Sequence, residues 1–292
     1  MYDIIIIGGG PAGISASLYT VRAGLSTLII AHGKGSLEKA EKIENYYGIG
    51  SELNGGQLID NGIEQAEKLG VEIIDDEVVG IKGFDEMTLQ CIGGEYIGKA
   101  LIIAMGSPRK KLPFKNIEKF EGNGISYCAA CDGFFYRDRK IAVIGYNEYM
   151  VHEAVEIREL SDNLTILTNG MPLEIEDADN GLIDGIAVDS EKIEDFYGDD
   201  YLLGIEFESG RKEDFEGVFI AYGSATGMEM ALKTGLLTED GIIVADEKQC
   251  TNLPNIFAAG DCTGGFKQVS VAVGEGAVAA KSAIEYVRSI KQ

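Results

Sequence analysis

The sequence predicts an α/β protein built from two Rossmann-like, three-layer domains, the second inserted in the first. Three observations lead there. An all-isoleucine strand at 4–7 runs into the glycine turn Gly8-Gly9-Gly10-Pro11-Ala12-Gly13 and then into a helical stretch. A second strand, glycine turn and helix follow at 140–150, so the β-turn-α-β order occurs twice. Near the end, the apolar run 256–259 leads into Gly260-Asp261 and pairs logically with the first half.

The elements follow in order. Four consecutive isoleucines read as a parallel strand buried on both faces. A helix over 12–23, capped by Gly24, and a strand over 26–30 complete a βαβ unit of about thirty residues. A helix over 57–69 ends at Gly70, and a short strand follows at 71–74. Stretches 78–91 and 95–97 read as antiparallel strands around Gly93-Gly94, and 99–105 as a buried strand ending at Gly106. The pattern restarts near 114, with a strand at 141–144, a helix at 149–160 and a strand at 164–168. After 181 the chain is acidic and turn-rich; strands are expected at 217–221, 242–244 and 256–259, and a helix at 270–290. The division expected is 1–113 with 241–292 as one domain and 114–240 as the insert.

Hydrophobic residues make up 45% of the 292, with 39 glycines, as in a compact enzyme. No apolar run reaches the ~18 residues of a membrane span. The chain enters its first strand without a basic leader, so a cytoplasmic protein is expected. A net charge of −23 argues against nucleic acid and anionic membrane surfaces. One basic cluster, Arg109, Lys110, Lys111 and Lys115, reads either as a solvated linker or as a docking patch for a small acidic partner.

The five cysteines are Cys91, Cys128, Cys131, Cys250 and Cys262; an odd, sparse set fits a reducing compartment. Cys128-Ala129-Ala130-Cys131 then reads as redox-active. A second pair at zinc-finger spacing is missing and His32 and His152 are distant, so no metal is expected. Two cysteines at i and i+3 at a helix start can close a disulfide and reopen it, and the helix N-terminus lowers the thiol pKa. Asp132 follows directly, either as a proton carrier or as a helix cap. The other cysteines read as structural, and nothing in sequence sets the separation of Cys250 and Cys262.

The first glycine turn sits between strand and helix, the setting that gives Gly8-x-Gly10-x-x-Gly13 its meaning. Gly8 permits the turn, Gly10 admits a pyrophosphate to the backbone, and Gly13 lets helix and strand pack. The helix N-terminus faces the phosphates. The acidic residue expected on a ribose is missing, since Ile30-Ala31-His32 stands there. Ribose contacts must come from elsewhere, such as the 31–37 loop with Ala31 and Gly35.

The segment Ser126-Tyr127-Cys128-Ala129-Ala130-Cys131-Asp132-Gly133-Phe134-Phe135-Tyr136 closely resembles the active-site segment of low-molecular-weight, bacterial-type thioredoxin reductases, members of the pyridine nucleotide-disulfide oxidoreductases. The resemblance runs almost end to end. It includes Gly8, Gly10, Pro11, Ala12 and Gly13, the stretch Glu44-Asn45-Tyr46, Ala104-Met105-Gly106, Gly260-Asp261 and Lys267-Gln268-Val269, where that family contacts FAD. Met105 replaces the family's threonine. The resemblance implies a homodimer with FAD in each subunit, Cys131 against the flavin C4a, Cys128 as its disulfide partner, Asp132 as acid–base group, and thioredoxin as acceptor.

In that family the inserted domain binds NADPH through a second glycine turn. Here Gly145 survives, but Asn147 and Met150 stand at the other two positions. A side chain at 147 obstructs the pyrophosphate, Met150 is expected to hold helix and strand apart, and Glu148 repels phosphate. The stretch 167–172 offers no cation for a 2′-phosphate, and Glu174, Glu176, Asp177 and Asp179 add negative charge. NADPH is therefore not expected as donor. The pattern resembles the ferredoxin-dependent flavin thioredoxin reductases, in which a flavin takes single electrons and delivers pairs. Two other readings stay open: NADH or a second flavin in the insert, stacked on Tyr146 and Tyr149, and a non-catalytic flavin redox sensor.

Overall fold

The computed structural model describes residues 1–49, 52–83, 86–106, 112, 114–175, 179, 181–223 and 227–291. The chain divides into two units, Met1–Arg109 with Thr226–Gln292, and Lys110–Ala225. The chain re-enters the first unit at 226, not at 241 as the sequence pattern suggests. The reason is a helix whose hydrophobic pattern is too short to assign from sequence, Gly227–Thr234, which packs on strands of the first unit.

The first unit opens with β1 (Tyr2–Ile7), α1 (Pro11–Arg22), β2 (Thr27–Ala31), α2 (Gly55–Lys68), β3 (Glu72–Asp75), β4 (Val78–Lys82), β5 (Met87–Cys91) and β6 (Gly94–Ile103). Its sheet runs β3-β2-β1-β6-β5-β4. Ile4, Ile5 and Ile6 are fully buried, as expected of a strand covered on both faces. The expected single strand over 78–91 is broken at Gly83, which takes φ +86° and turns β4 into β5. The stretches 95–97 and 99–105 are one continuous strand, β6, which pairs antiparallel with β5 at its start and parallel with β1. Helix α2 begins with a capping box: Asn54 Oδ1 accepts from the Gln57 amide, and Gln57 Oε1 from the Asn54 amide.

The second unit contains α3 (Ile117–Phe120), β7 (Ile125–Ser126), α4 (Ala129–Asp132), β8 (Ile141–Ile144), α5 (Glu148–Arg158), β9 (Leu164–Leu167), β10 (Ala187–Asp189), β11 (Ile193–Gly198), β12 (Leu202–Phe207), β13 (Lys212–Asp214) and β14 (Gly217–Ile220). Its parallel sheet runs β10-β9-β8-β14-β7. The antiparallel sheet β11-β12-β13 lies in the acidic stretch after 181, where the sequence pattern showed only turns. Its Phe196, Ile205 and Phe207 are buried in the core of this unit with Phe114 and Phe215.

The chain returns through α6 (Gly227–Thr234), β15 (Thr238–Glu239), β16 (Ile242–Ile243), β17 (Ile256–Ala258) and α7 (Val269–Ser289). Strand β17 adds to β6 in parallel register, and α7 lies against α1. The approach is close because Gly276 lacks a Cβ, which would stand 2.1 Å from the Ala12 carbonyl oxygen.

Asp3 ties the end of this returning segment to the central strands. Its carboxylate pairs with Lys99 at 2.8 Å and with Lys291 at 3.0 Å. Burial pulls the carboxyl upward, but the two ammonium groups and the Ser26 amide outweigh it and hold the pKa at about 2. The folded-state value is below the unfolded one, so this stabilisation is complete above pH ~4 and is lost as pH falls through about 2. Asp3→Asn is expected to lower Tm by ~2–5 °C at neutral pH. Calorimetric scans should show that gap closing between pH 4 and 2; a gap independent of pH contradicts the linkage.

Candidate active site: a nucleotide cradle and a dithiol

The cradle lies at the carboxyl ends of β1 and β6. Gly8 takes φ +111°, and a Cβ there would stand 2.2 Å from the Ala104 carbonyl oxygen. A Cβ on Gly13 would meet the Gly8 oxygen at 1.9 Å. These two glycines are demanded by the chain's own packing. Gly10 is not: it has extended φ and ψ, and a Cβ there would meet nothing within 4 Å. Its bareness leaves the mouth of α1 open to a group from outside, where the first-turn amides point. Pro11 and Ala12 begin that helix, and Pro11 gives up an amide the helix could not use.

The remaining expected positions gather in the same unit. Ala31 ends β2, and Gly35, at φ +69°, starts a 3-10 turn. Asn45 Nδ2 donates to Gln268 Oε1 at 2.8 Å, joining segments 223 residues apart. Ala104, Met105 and Gly106 follow β6 directly. Gly260, at φ +83°, leads into the 3-10 turn that begins at Asp261, and Lys267, Gln268 and Val269 enter α7. One residue is not marked by any motif: Glu275 on α7, whose carboxylate accepts the Gly260 amide at 2.7 Å and so fixes the Asp261 loop. This donor set and the open position at Gly10 fit FAD. His32, at the end of β2, pairs with Asp75 at 3.4 Å on the surface.

The dithiol lies at the carboxyl end of β7. Cys128 and Cys131 form a disulfide, Cys128 buried and Cys131 exposed. Cys128 is the N-cap of α4, and its sulfur accepts the Cys131 amide at 3.1 Å. Asp132 does not cap the following 3-10 turn; its Oδ2 accepts from Ser126 Oγ at 2.6 Å, and that hydroxyl oxygen accepts the Cys128 amide at 3.1 Å. Burial and the Asp132 charge raise the pKa of Tyr136. The expected boost from a helix N-terminus meets an opposing group. Helix α4 has only four residues, and the Ala129 amide is taken at 2.9 Å by the buried Glu153 carboxylate from α5. Cys91, Cys250 and Cys262 are free thiols. Burial drives Cys262 to about 12, and it points at the Ala259 and Ile103 carbonyl oxygens.

The second glycine turn, between β8 and α5, has a different content. Gly145 is kept for packing: a Cβ would lie 2.2 Å from the Ala221 oxygen and 2.5 Å from Met150 Cβ. Met150 therefore does not wedge helix from strand; the missing Cβ at 145 admits it, and it is fully buried. Asn147 is the N-cap of α5. Its Nδ2 donates to the Gly223 oxygen at 2.7 Å and its Oδ1 accepts the Met150 amide at 3.5 Å. The side chain thus spans from the helix N-terminus toward the end of β14, across the crevice at the sheet's switch point. Glu174 pairs its backbone alongside. Tyr149 is fully buried, so it cannot stack on a bound ring, and Tyr146 packs edge-on against Tyr222. Of the basic cluster, Lys115 is paired with Glu194; Arg109, Lys110 and Lys111 lie outside the described residues, as do Glu176 and Asp177.

The family model for pyridine nucleotide-disulphide oxidoreductases matches residues 2–276. The chain belongs to that family. Within it, the thioredoxin reductase of Listeria innocua is 34% identical over 100% of this chain and 96% of its own. Among solved structures, the atypical thioredoxin reductase TRi from Desulfovibrio vulgaris Hildenborough superposes with a TM-score of 0.94 at 38% identity, covering 99% of both chains. A ferredoxin-flavin thioredoxin reductase from Clostridium acetobutylicum gives 0.74 at 31% identity, covering 99% of this chain and 98% of that one. As a family member the chain is a low-molecular-weight, thioredoxin reductase-type oxidoreductase fold. Among the described residues, no helix is long and apolar enough to cross a membrane.

Proposed function

We propose that this protein reduces the disulfide of thioredoxin, or of a thioredoxin-like protein, through Cys128 and Cys131, with electrons from reduced ferredoxin and not from NADPH. The thioredoxin part rests on the relatives named above and on the disulfide at the end of β7. The donor part rests on Asn147, whose side chain fills the place a pyrophosphate needs, while the packing glycine beside it is kept. The likeness to the ferredoxin-flavin enzyme of Clostridium acetobutylicum supports the same donor.

FAD would be held by Gly8, Gly10, Gly13, Asn45, the 104–106 turn and the Gly260-Asp261 loop, and would supply a group able to take single electrons and deliver pairs. The chain's own residues do the rest. Once reduced, one cysteine of the pair attacks an acceptor sulfur as thiolate and forms a mixed disulfide. The other cysteine then closes the Cys128–Cys131 bond and releases the acceptor as a dithiol. Two electrons leave the pair in that cycle, and the acceptor sulfurs gain two protons. Asp132, which accepts a hydrogen bond from Ser126, carries a proton in this reading. The working unit in this reading is a homodimer, to be checked by the solution mass of the holoenzyme.

Anaerobic titration tests the donor. NADPH and NADH at millimolar concentration are expected to leave the flavin absorbance unchanged over minutes. Reduced ferredoxin is expected to bleach it and to drive thioredoxin reduction. Bleaching by a nicotinamide within the turnover time would remove the ferredoxin assignment and leave the dithiol chemistry standing.

A further inference from the structure

Glu153 is 1% exposed, on the face of α5 that meets α4. A buried carboxylate is costly unless its oxygens are engaged. Here one oxygen accepts the amide of Ala129, the first residue after Cys128. The other lies 3.8 Å from His152 Nδ1, and His152 Nε2 lies 3.9 Å from Glu156 on the outer side. A free helix start beside a C-x-x-C pair stabilises thiolate. In this chain a negative group occupies that start. Among the described residues, other titratable groups near the pair and its Glu153 contact include Asp132 on α4, Tyr136 on the turn that follows, and His152 beside Glu153. Glu153 is thus the buried acidic group bonded to the pair's own backbone.

We propose that Glu153 is a positioning residue for the dithiol: its carboxylate holds the first turn of α4 through Ala129 and, by its charge, keeps the reduced thiols protonated. A dithiol whose thiolate is disfavoured holds its electrons less tightly, the opposite of a strongly oxidising pair. That suits a pair whose task is to hand electrons on. The inference rests on the reading of Cys128 and Cys131 as the electron-carrying pair, but its test requires neither donor nor acceptor protein.

The experiment uses the holoenzyme, reduced with a phosphine that is then removed. Iodoacetamide alkylation is followed against pH by the mass of the peptide carrying both cysteines, which separates them from Cys91, Cys250 and Cys262. Wild type is expected to titrate at or above ~8.5, the ordinary cysteine value. Glu153→Gln keeps an acceptor for the Ala129 amide but removes the charge, so its midpoint is expected to fall by ~0.5–1 pH unit. Glu156→Gln, half-buried on α5 and not bonded to the Ala129 amide, should leave the profile in place. A Glu153→Gln profile superimposed on wild type would show a plain structural cap and overturn the proposal. If that variant fails to fold, wild type decides: a midpoint near ~7, where helix-start pairs titrate, overturns it equally. If wild type does not reduce thioredoxin while the alkylation shift of Glu153→Gln is intact, the functional reading falls and this one stands.

Discussion

Cys131→Ser is expected to abolish thioredoxin reduction, by ~10³-fold or more, while leaving FAD bound and Tm within ~2 °C of wild type. The size follows from the chemistry. A serine oxygen neither forms the Cys128–Cys131 bond nor leaves it, so the pair loses its cycle and not merely part of its rate. The flavin is expected to stay because every residue assigned to the cradle belongs to the other unit of the chain. The fold is expected to stay because residue 131 is exposed and its amide, which bonds to residue 128, is untouched. Cys128→Ser should be equally inactive but less benign, since residue 128 is buried and caps α4. Steady-state turnover with thioredoxin, with flavin absorbance as the control for cofactor, checks both. Turnover above a few per cent in Cys131→Ser would move the electron-carrying role elsewhere in the molecule. In wild type, a flavin that reduces while the Cys128–Cys131 disulfide stays closed would instead favour the reading of this protein as a non-catalytic sensor.

The second large effect separates two glycines of one motif. Gly10→Val is expected to fold normally and to bind FAD ~10–100-fold more weakly, because its Cβ meets nothing within 4 Å in the protein while the side chain stands where the pyrophosphate approaches. Gly13→Val is expected to fail earlier. Its Cβ would fall 1.9 Å from the Gly8 carbonyl oxygen, so α1 must lift from β1 before any ligand is considered. Far-ultraviolet circular dichroism and thermal melts of the flavin-free proteins, followed by fluorescence titration with FAD, distinguish them. If Gly10→Val binds FAD with wild-type affinity, the cradle is not where the cofactor's phosphates lie.

That contrast also shows what the sequence could and could not express. The first strand was legible because four isoleucines in a row suit a strand buried on both faces, and the glycine turn because strand and helix flank it. The disulfide pair and its neighbours were legible as a contiguous segment. What escaped were contacts made between distant positions. Glu153 lies 24 residues from the amide it holds, and Glu275 lies on a terminal helix whose pattern singles out no residue. Strands β11 to β13 escaped for another reason. Glu194, Asp195, Glu206, Glu213 and Asp214 on their outer or half-buried positions favour strands poorly and hide the pattern that buries Ile193, Phe196, Ile205 and Phe207. Met150 reads as an obstruction only when its bulk is weighed without the space that Gly145 leaves for it. A motif position has meaning only together with the residue opposite it.

The addition of β17 to β6, and of α7 to α1, sets an order of events during synthesis. When residue 106 leaves the ribosome, β6 and the Gly8–Gly13 turn are already translated, yet the loop at 260–261 and the helix backing it are still far downstream. Until they arrive, the edge of β6 that β17 will occupy lacks its partner strand, and α1 presents the surface around Ala12 that Gly276 later covers. The self-contained middle segment is finished first and can fold while tethered. Cofactor loading is therefore a late event, gated by synthesis of the 256–276 segment, and nascent fragments that stop short of residue 276 should be the species most dependent on chaperones.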